Sequence, residues 1–195
     1  MKTIITIVIF LVTITGIQAQ TQKYLADIRQ SDIIWTGKKV TGEHTGTLKV
    51  KSGNFTVENG MITKGEFIVD MTSLICTDIK DAGTNASLVG HLKSPDFFDV
   101  EQYPEARLEI LSSAKADGIF YEAKASLTIK GITLPYTFKY AFKDENGVFA
   151  AMSTMQIDRS KYNVQYGSES FFKNLGDKVI YDNFDLQVKV IGKLL

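Results

Sequence analysis

Period-two alternation is the feature that most limits what this chain can fold into. Between Tyr121 and Lys130, the set Tyr121, Ala123, Ala125, Leu127 and Ile129 alternates with Glu122, Lys124, Ser126, Thr128 and Lys130. Leu134, Tyr136, Phe138, Tyr140 and Phe142 then alternate with Thr137, Lys139 and Lys143, and Phe184, Leu186, Val188 and Val190 with Asp185, Gln187 and Lys189. Such a pattern turns one face of a strand to a core and the other to water. It predicts antiparallel sheet, because parallel strands covered on both faces read as continuous apolar runs. Shorter candidates are 33–40, 48–50, 61–69 and 106–111. Lys51-Ser52-Gly53-Asn54, Glu58-Asn59-Gly60, Ala116-Asp117-Gly118, Lys130-Gly131 and Asp144-Glu145-Asn146-Gly147 supply turn residues, read as hairpin joints.

From Ser73 to Pro104 the alternation fades. A short helical segment is predicted near residues 84–98, with Ser94 as N-cap and Pro95 at the first helical position. So long an insertion in a β-protein is expected to cover a barrel end or a sheet flank. The fold expected is all-β and antiparallel, a barrel or a sandwich. Strands of about ten residues, roughly 33 Å at about 3.3 Å each, favour the closed barrel. Patterning does not decide whether its interior is filled or hollow.

Lys2, the apolar run Ile4 to Ile14 and the ending Ile17-Gln18-Ala19 read as a signal peptide over residues 1–19, leaving a domain over 20–195. The run is too short to span a bilayer, so no membrane span is expected after cleavage. Loss of Lys2 leaves 21 basic against 22 acidic residues, which gives no global pull toward nucleic acid. The one cysteine, Cys76, cannot form an internal disulfide, so stability is expected from packing, with Cys76 as a buried small residue.

The string His91-Leu92-Lys93-Ser94-Pro95-Asp96-Phe97-Phe98-Asp99-Val100, with Tyr103-Pro104-Glu105-Ala106 after it, resembles the signature of the YceI-like lipid- and polyisoprenoid-binding proteins. Supporting it in order are Ser31 to Trp35 with Gly42 to Gly46, Gly65 to Met71, Leu127-Thr128-Ile129-Lys130-Gly131-Ile132-Thr133, and Asp158-Arg159 leading to Gly167. Asn163 stands where a glycine is common in that family. The resemblance implies an extended eight-stranded, lipocalin-like antiparallel barrel with an apolar channel. It implies a non-catalytic protein, periplasmic or secreted, that binds a polyisoprenoid, quinone-type or fatty-amide lipid without a cofactor, and it allows a homodimer.

The candidate ligand-contacting residues are Trp35, Phe97, Phe98, Leu127, Ile129, Tyr136, Phe138, Tyr140, Phe142 and Arg159. The stripe Tyr136 to Phe142 reads either as core packing or as a channel wall. Asp158 and Arg159 read as head-group contacts, since a guanidinium matches phosphate geometry, or as an internal ion pair and loop anchor. Lys93 and Lys130 read as solvated surface. Burying a CH₂ group contributes about 0.8 kcal/mol, so four isoprene units approach roughly 12–16 kcal/mol before ordering costs, enough for the tail to carry affinity. A metal centre wants three or four ligands, and His44 and His91, the only histidines, have at best Asp70 or Asp96 to join them. No nucleophile, base and orienting group share a recognisable spacing. The second reading is a solid-cored envelope interaction module without a small-molecule ligand.

Overall fold

The computed structural model describes residues 21–195; the predicted leader lies outside the described residues. In chain order the strands are β1 (Thr21–Ala26), β2 (Asp32–Lys39), β3 (Gly42–Glu58), β4 (Met61–Cys76), β5 (Glu105–Lys115), β6 (Phe120–Ile129), β7 (Ile132–Glu145), β8 (Val148–Asp158) and β9 (Asn183–Leu194). An α-helix, α1 (Ala82–Lys93), lies between β4 and β5.

Alternation becomes orientation as expected. Ala123, Ala125, Leu127 and Ile129 are buried on β6 while Glu122 and Lys124 are exposed. Strands β3 to β9 each pair antiparallel with their sequence neighbour, apart from the α1 insertion's crossing from β4 to β5, which also pair. Closure comes from the N-terminus. Both β1 and β2 pair antiparallel with β3 and β9, β1 against residues 54–58 of β3 and β2 against residues 42–48. They are therefore two halves of one interrupted strand, and nine segments fill the eight positions of a closed barrel. The β7–β8 ladder is the short one, running only from Ala141–Met152 to Glu145–Val148, and beyond it the Tyr136 hydroxyl and Ser153 Oγ bridge the seam to the Gln156 and Lys139 carbonyls. The interruption at 27–31 is pinned: the Ile191 N–H donates to Ser31 Oγ at 3.0 Å, and the Asp27 carboxylate accepts from Lys193 Nζ at 2.7 Å.

Hairpins form where adjacent residues accept positive φ: Asn59-Gly60 (52° and 74°), Lys130-Gly131 (49° and 74°) and Asn146-Gly147 (54° and 75°). Lys51-Ser52-Gly53-Asn54 is a correction: it lies inside β3, where a register shift between Val50 and Ser52 marks a bulge. Below the bulge Leu48 and Val50 face inward, above it Gly53, Phe55 and Val57, so the inward set changes parity. That change imitated a turn in the sequence. It lets one 17-residue strand keep its apolar face on the core while the sheet coils.

The helix is a second correction. It begins at Asp81, whose carboxylate accepts from the Thr84 N–H at 2.8 Å, and it ends at Ser94 instead of starting there. Ser94 Oγ donates to the His91 carbonyl, and Pro95 biases the residue before it toward extended backbone, so Ser-Pro acts as a stop. The strand before it runs on to Cys76, past the point where alternation fades. The helix lies across one end of the barrel, packing Leu88, Val89 and Leu92 on Trp35, Leu74 and Cys76.

Candidate ligand-binding site

The barrel interior divides along its axis into a hollow half and a filled half. Under α1 a cavity of about 320 Å³ opens to the surface, and a smaller one of about 100 Å³ adjoins it further down the barrel, bordered at one side by the exposed Met152. Ile33, Val69, Leu108, Leu127, Ile157 and Leu186, from six different strands, line both and form a waist between them. The walls are almost wholly hydrocarbon, as expected of a site that binds apolar surface and discriminates little by hydrogen bonding.

The mouth is formed by the β2–β3 end, α1 and the loops 95–104 and 159–182. Lys38, Lys39, His44, His91, Arg107 and Arg159 reach the outer cavity, and no carboxylate lines it among the described residues. Lys38 pairs with Asp185 at 2.9 Å, His44 Nδ1 meets Asp78 at 2.9 Å, and Arg107 pairs with Glu66 at 2.8 Å. Lys39 has no ion-pair partner among the described residues. His91 stands edge-on to Tyr166, centroids 4.3 Å apart, and to Phe97 at 5.5 Å. Among the described residues, no group of three or more His, Cys, Asp or Glu side chains is placed to hold a metal ion. Cys76 is buried and its thiol donates to Asp78 at 3.1 Å; burial first, then that carboxylate, push its pKa up.

Two cations hold the mouth together. Arg159 is 2 % exposed, and its guanidinium donates to the carbonyls of Val164 (2.8 Å), Ile180 (2.8 Å) and Tyr181 (3.2 Å), with Asp182 at 3.5 Å. The fork thus joins the turn after β8 to the segment before β9, and the Phe97 ring lies over it at 5.2 Å. These contacts favour the loop-anchor reading of Arg159, since three of its N–H groups donate to backbone carbonyls. Lys130 corrects its solvated reading. Its ammonium donates to the carbonyls of Phe97 (2.8 Å), Pro95 (3.0 Å) and Asn163 (3.4 Å), tying the β6–β7 hairpin to both neighbouring loops. Lys93 is tied as well, donating to the Thr72 carbonyl at 2.7 Å. Asn163 has φ 57°, the left-handed backbone that a glycine would adopt freely.

The filled half is an aromatic stack. Tyr24 and Phe55 stack with centroids 5.2 Å apart, Phe55 meets Phe149 at 5.1 Å, and Phe149 stacks on Phe142 at 4.7 Å. The polar ends of its tyrosines are tied off: Tyr24 Oη donates to Asp144 at 2.8 Å, and Tyr140 Oη accepts from the Ile62 N–H at 3.1 Å. Burial, then Asp144, push the Tyr24 hydroxyl up to about 12.

Of the residues predicted to contact ligand, Trp35, Phe97, Phe98, Ile129 and Arg159 line the outer cavity, Leu127 lines both, and Phe138 and Tyr140 line the inner one. Tyr136 and Phe142 contribute to neither lining: Tyr136 donates to the Gln156 carbonyl, and Phe142 packs in the stack. The sequence reading missed Leu74, Leu88 and Leu92 over the mouth and Phe184 and Leu186 on the wall. The i, i+4 pair Leu88 and Leu92 could have revealed the helix's inner face. Phe184 and Leu186 belonged to an alternation already read but not assigned to the lumen.

Among solved structures, BcnA of Burkholderia cenocepacia superposes with a TM-score of 0.64 at 20% identity, covering 85% of this chain and 98% of that one. A polyisoprenoid binding domain from Saccharophagus degradans gives 0.64 at 13% identity over 88% and 98%. The YCEI protein of Campylobacter jejuni gives 0.53 at 15% identity over 68% and 73%. These likenesses show the fold. By sequence, a UPF0312 protein of Pseudomonas putida is 36% identical over 104 residues, 51% of this chain and 50% of the relative; the chain spans about half the length of the curated relatives it matches. The YceI-like domain matches residues 24–191, which is nearly the whole barrel, and the protein belongs to the YceI-like family.

Proposed function

We propose that this protein is an exported, non-catalytic carrier that holds the tail of a long-chain amphiphilic lipid in the barrel lumen. One observation carries the reading: two apolar cavities meet at a shared ring of aliphatic side chains, beneath a mouth lined by paired cations and above an aromatic stack. Hydrocarbon walls reward a hydrocarbon tail at about 25 cal/mol per Å² removed from water, and need nothing from the head group but orientation. A related fold described as polyisoprenoid binding supports the ligand class. Export rests on the leader read at residues 1–19. Of the described helices, none is long and apolar enough to cross a membrane. The second reading, a solid-cored interaction module, fits the aromatic half of the barrel only.

Protein purified without detergent should release about one equivalent of lipid on organic extraction, identified by mass spectrometry. Repeated preparations that release none and also refuse prenol, quinone and fatty-amide probes would overturn the proposal.

A further inference from the structure

The lower half of this barrel is filled by an aromatic stack, and the height of that stack sets a length. Three inward-facing glycines make room for the aromatic stack. A Cβ at Gly192 would stand 2.4 Å from Phe55 Cζ, one at Gly53 would stand 2.6 Å from Phe67 Cδ1, and one at Gly65 would stand 3.0 Å from Phe55 Cβ. Gly53 and Gly65 stand directly opposite Phe67 and Phe55 on the β3–β4 ladder, and Gly192 on β9 admits Phe55 as well, so each ring occupies the space of a missing side chain. Phe55, Tyr140 and Phe149 are at most 2 % exposed, and all three border the inner cavity from below.

The depth above that floor follows from β9. Phe184 stands at the outer cavity and Val190 at the inner one, six residues further on. At about 3.3 Å per residue and a tilt of about 40°, that is about 15 Å along the axis. The mouth layer of Ile180 and Tyr181 adds about 5 Å more, roughly one further pair of residues. An extended chain advances about 1.2 Å per bond, so the lumen takes about 12–16 chain atoms.

We propose that Phe55, Tyr140 and Phe149 form a length-setting floor, which fits the lumen to tails of three or four isoprene units, or alkyl chains of about 12–16 carbons, and leaves longer polyprenyl tails protruding. This rests on the lipid-holding reading above and narrows its ligand class. Ala151 fixes the inner chamber's width: it lines that chamber and pairs with Val190 across the β8–β9 ladder. A larger residue there fills the space just above the floor and shortens the lumen while Phe55, Tyr140 and Phe149 stay unchanged.

The test is competition among geraniol, farnesol, geranylgeraniol and solanesol at equal concentration in one detergent, with retained prenols counted by mass spectrometry after gel filtration. Wild-type protein should retain farnesol and geranylgeraniol at least tenfold over solanesol. Ala151→Leu should lower the geranylgeraniol-to-farnesol ratio at least threefold, and Phe149→Ala should raise it. Comparing ratios between variants cancels each prenol's preference for the micelle. If Phe149→Ala fails to fold by circular dichroism, Ala151→Leu decides alone. Equal retention of solanesol by the wild type, or ratios unmoved in the folded variants, overturns the floor as a ruler. Retention of no prenol or alkyl amide by any of the proteins overturns lipid holding itself.

Discussion

Replacing Arg159 by methionine keeps much of the side-chain bulk and removes the fork. Three carbonyls, those of Val164, Ile180 and Tyr181, then lose a charged donor inside a site where Arg159 is 2 % exposed. Each buried group left unpaired costs about 1–3 kcal/mol, and Asp182 loses its cation as well. Some of the loss is recovered by water entering the loosened loop, so the net expectation is about 3–5 kcal/mol, the usual cost of breaking a buried charge pair from one side. With a urea slope of about 2 kcal/mol per molar, the unfolding midpoint should fall by about 2 M. The chain's one tryptophan, Trp35, is buried in the outer chamber and reports the transition by its fluorescence. Arg159→Lys should recover less than half of the loss, because a point charge cannot span three carbonyls set for a planar fork. A midpoint within about 0.5 M of wild type, about 1 kcal/mol at that slope, together with lost lipid retention would refute the staple and return Arg159 to head-group binding.

Phe149→Ala should cost about 3–5 kcal/mol by the same assay, since its ring is fully buried between Phe55 and Phe142; a cost under about 1 would mean the stack is loosely packed. Acid should unfold the barrel through its carboxylates. Lys193, followed by the Arg29 N–H, holds Asp27 at about 2; for Asp78, burial pulls upward but hydrogen bonds from His44, Cys76 and Thr45 outweigh it, also giving about 2. Depressed folded-state values give stability that is complete above the unfolded pKa near about 3.9 and is lost as pH falls toward 2. The urea midpoint should therefore drop between about pH 4 and 2, and Asp27→Asn with Asp78→Asn should flatten that drop while lowering the midpoint at neutral pH. Lys130→Met should speed amide exchange at Phe97 and Phe98, whose loop it ties at Pro95 and Phe97; unchanged protection would show the loop is held by packing alone.

The strands that sequence revealed are those whose apolar and polar residues alternate without a break, as on β6, β7 and β9. Strand β8 was not singled out because Ala150, Ala151 and Ser153 blur its centre, although Phe149, Met155 and Ile157 face inward. On β3 the bulge reverses parity after Val50, and no single-window alternation can cross such a reversal. The short β1 gains its role from closure against β3 and β9, a long-range fact that local pattern does not carry. The candidate site was legible in kind, since apolar inward faces and the Phe97-Phe98 segment were both visible. Which half of the barrel is hollow was not. That depends on glycines at 53, 65 and 192 admitting rings from other strands, and an inward glycine looks the same in sequence as a turn glycine. Arg159 and Lys130 show a related limit: their carbonyl partners belong to loops whose meeting only the closed fold decides.

Bromine quenches indole fluorescence only near contact, and Trp35 lies on the wall of the outer chamber. Titration with a tail brominated near its head-group end should quench Trp35 saturably at one equivalent, and an unlabelled amphiphile of the same length should reverse it. Quenching that rises linearly without saturation, or that no competitor reverses, would place the lipid outside the barrel.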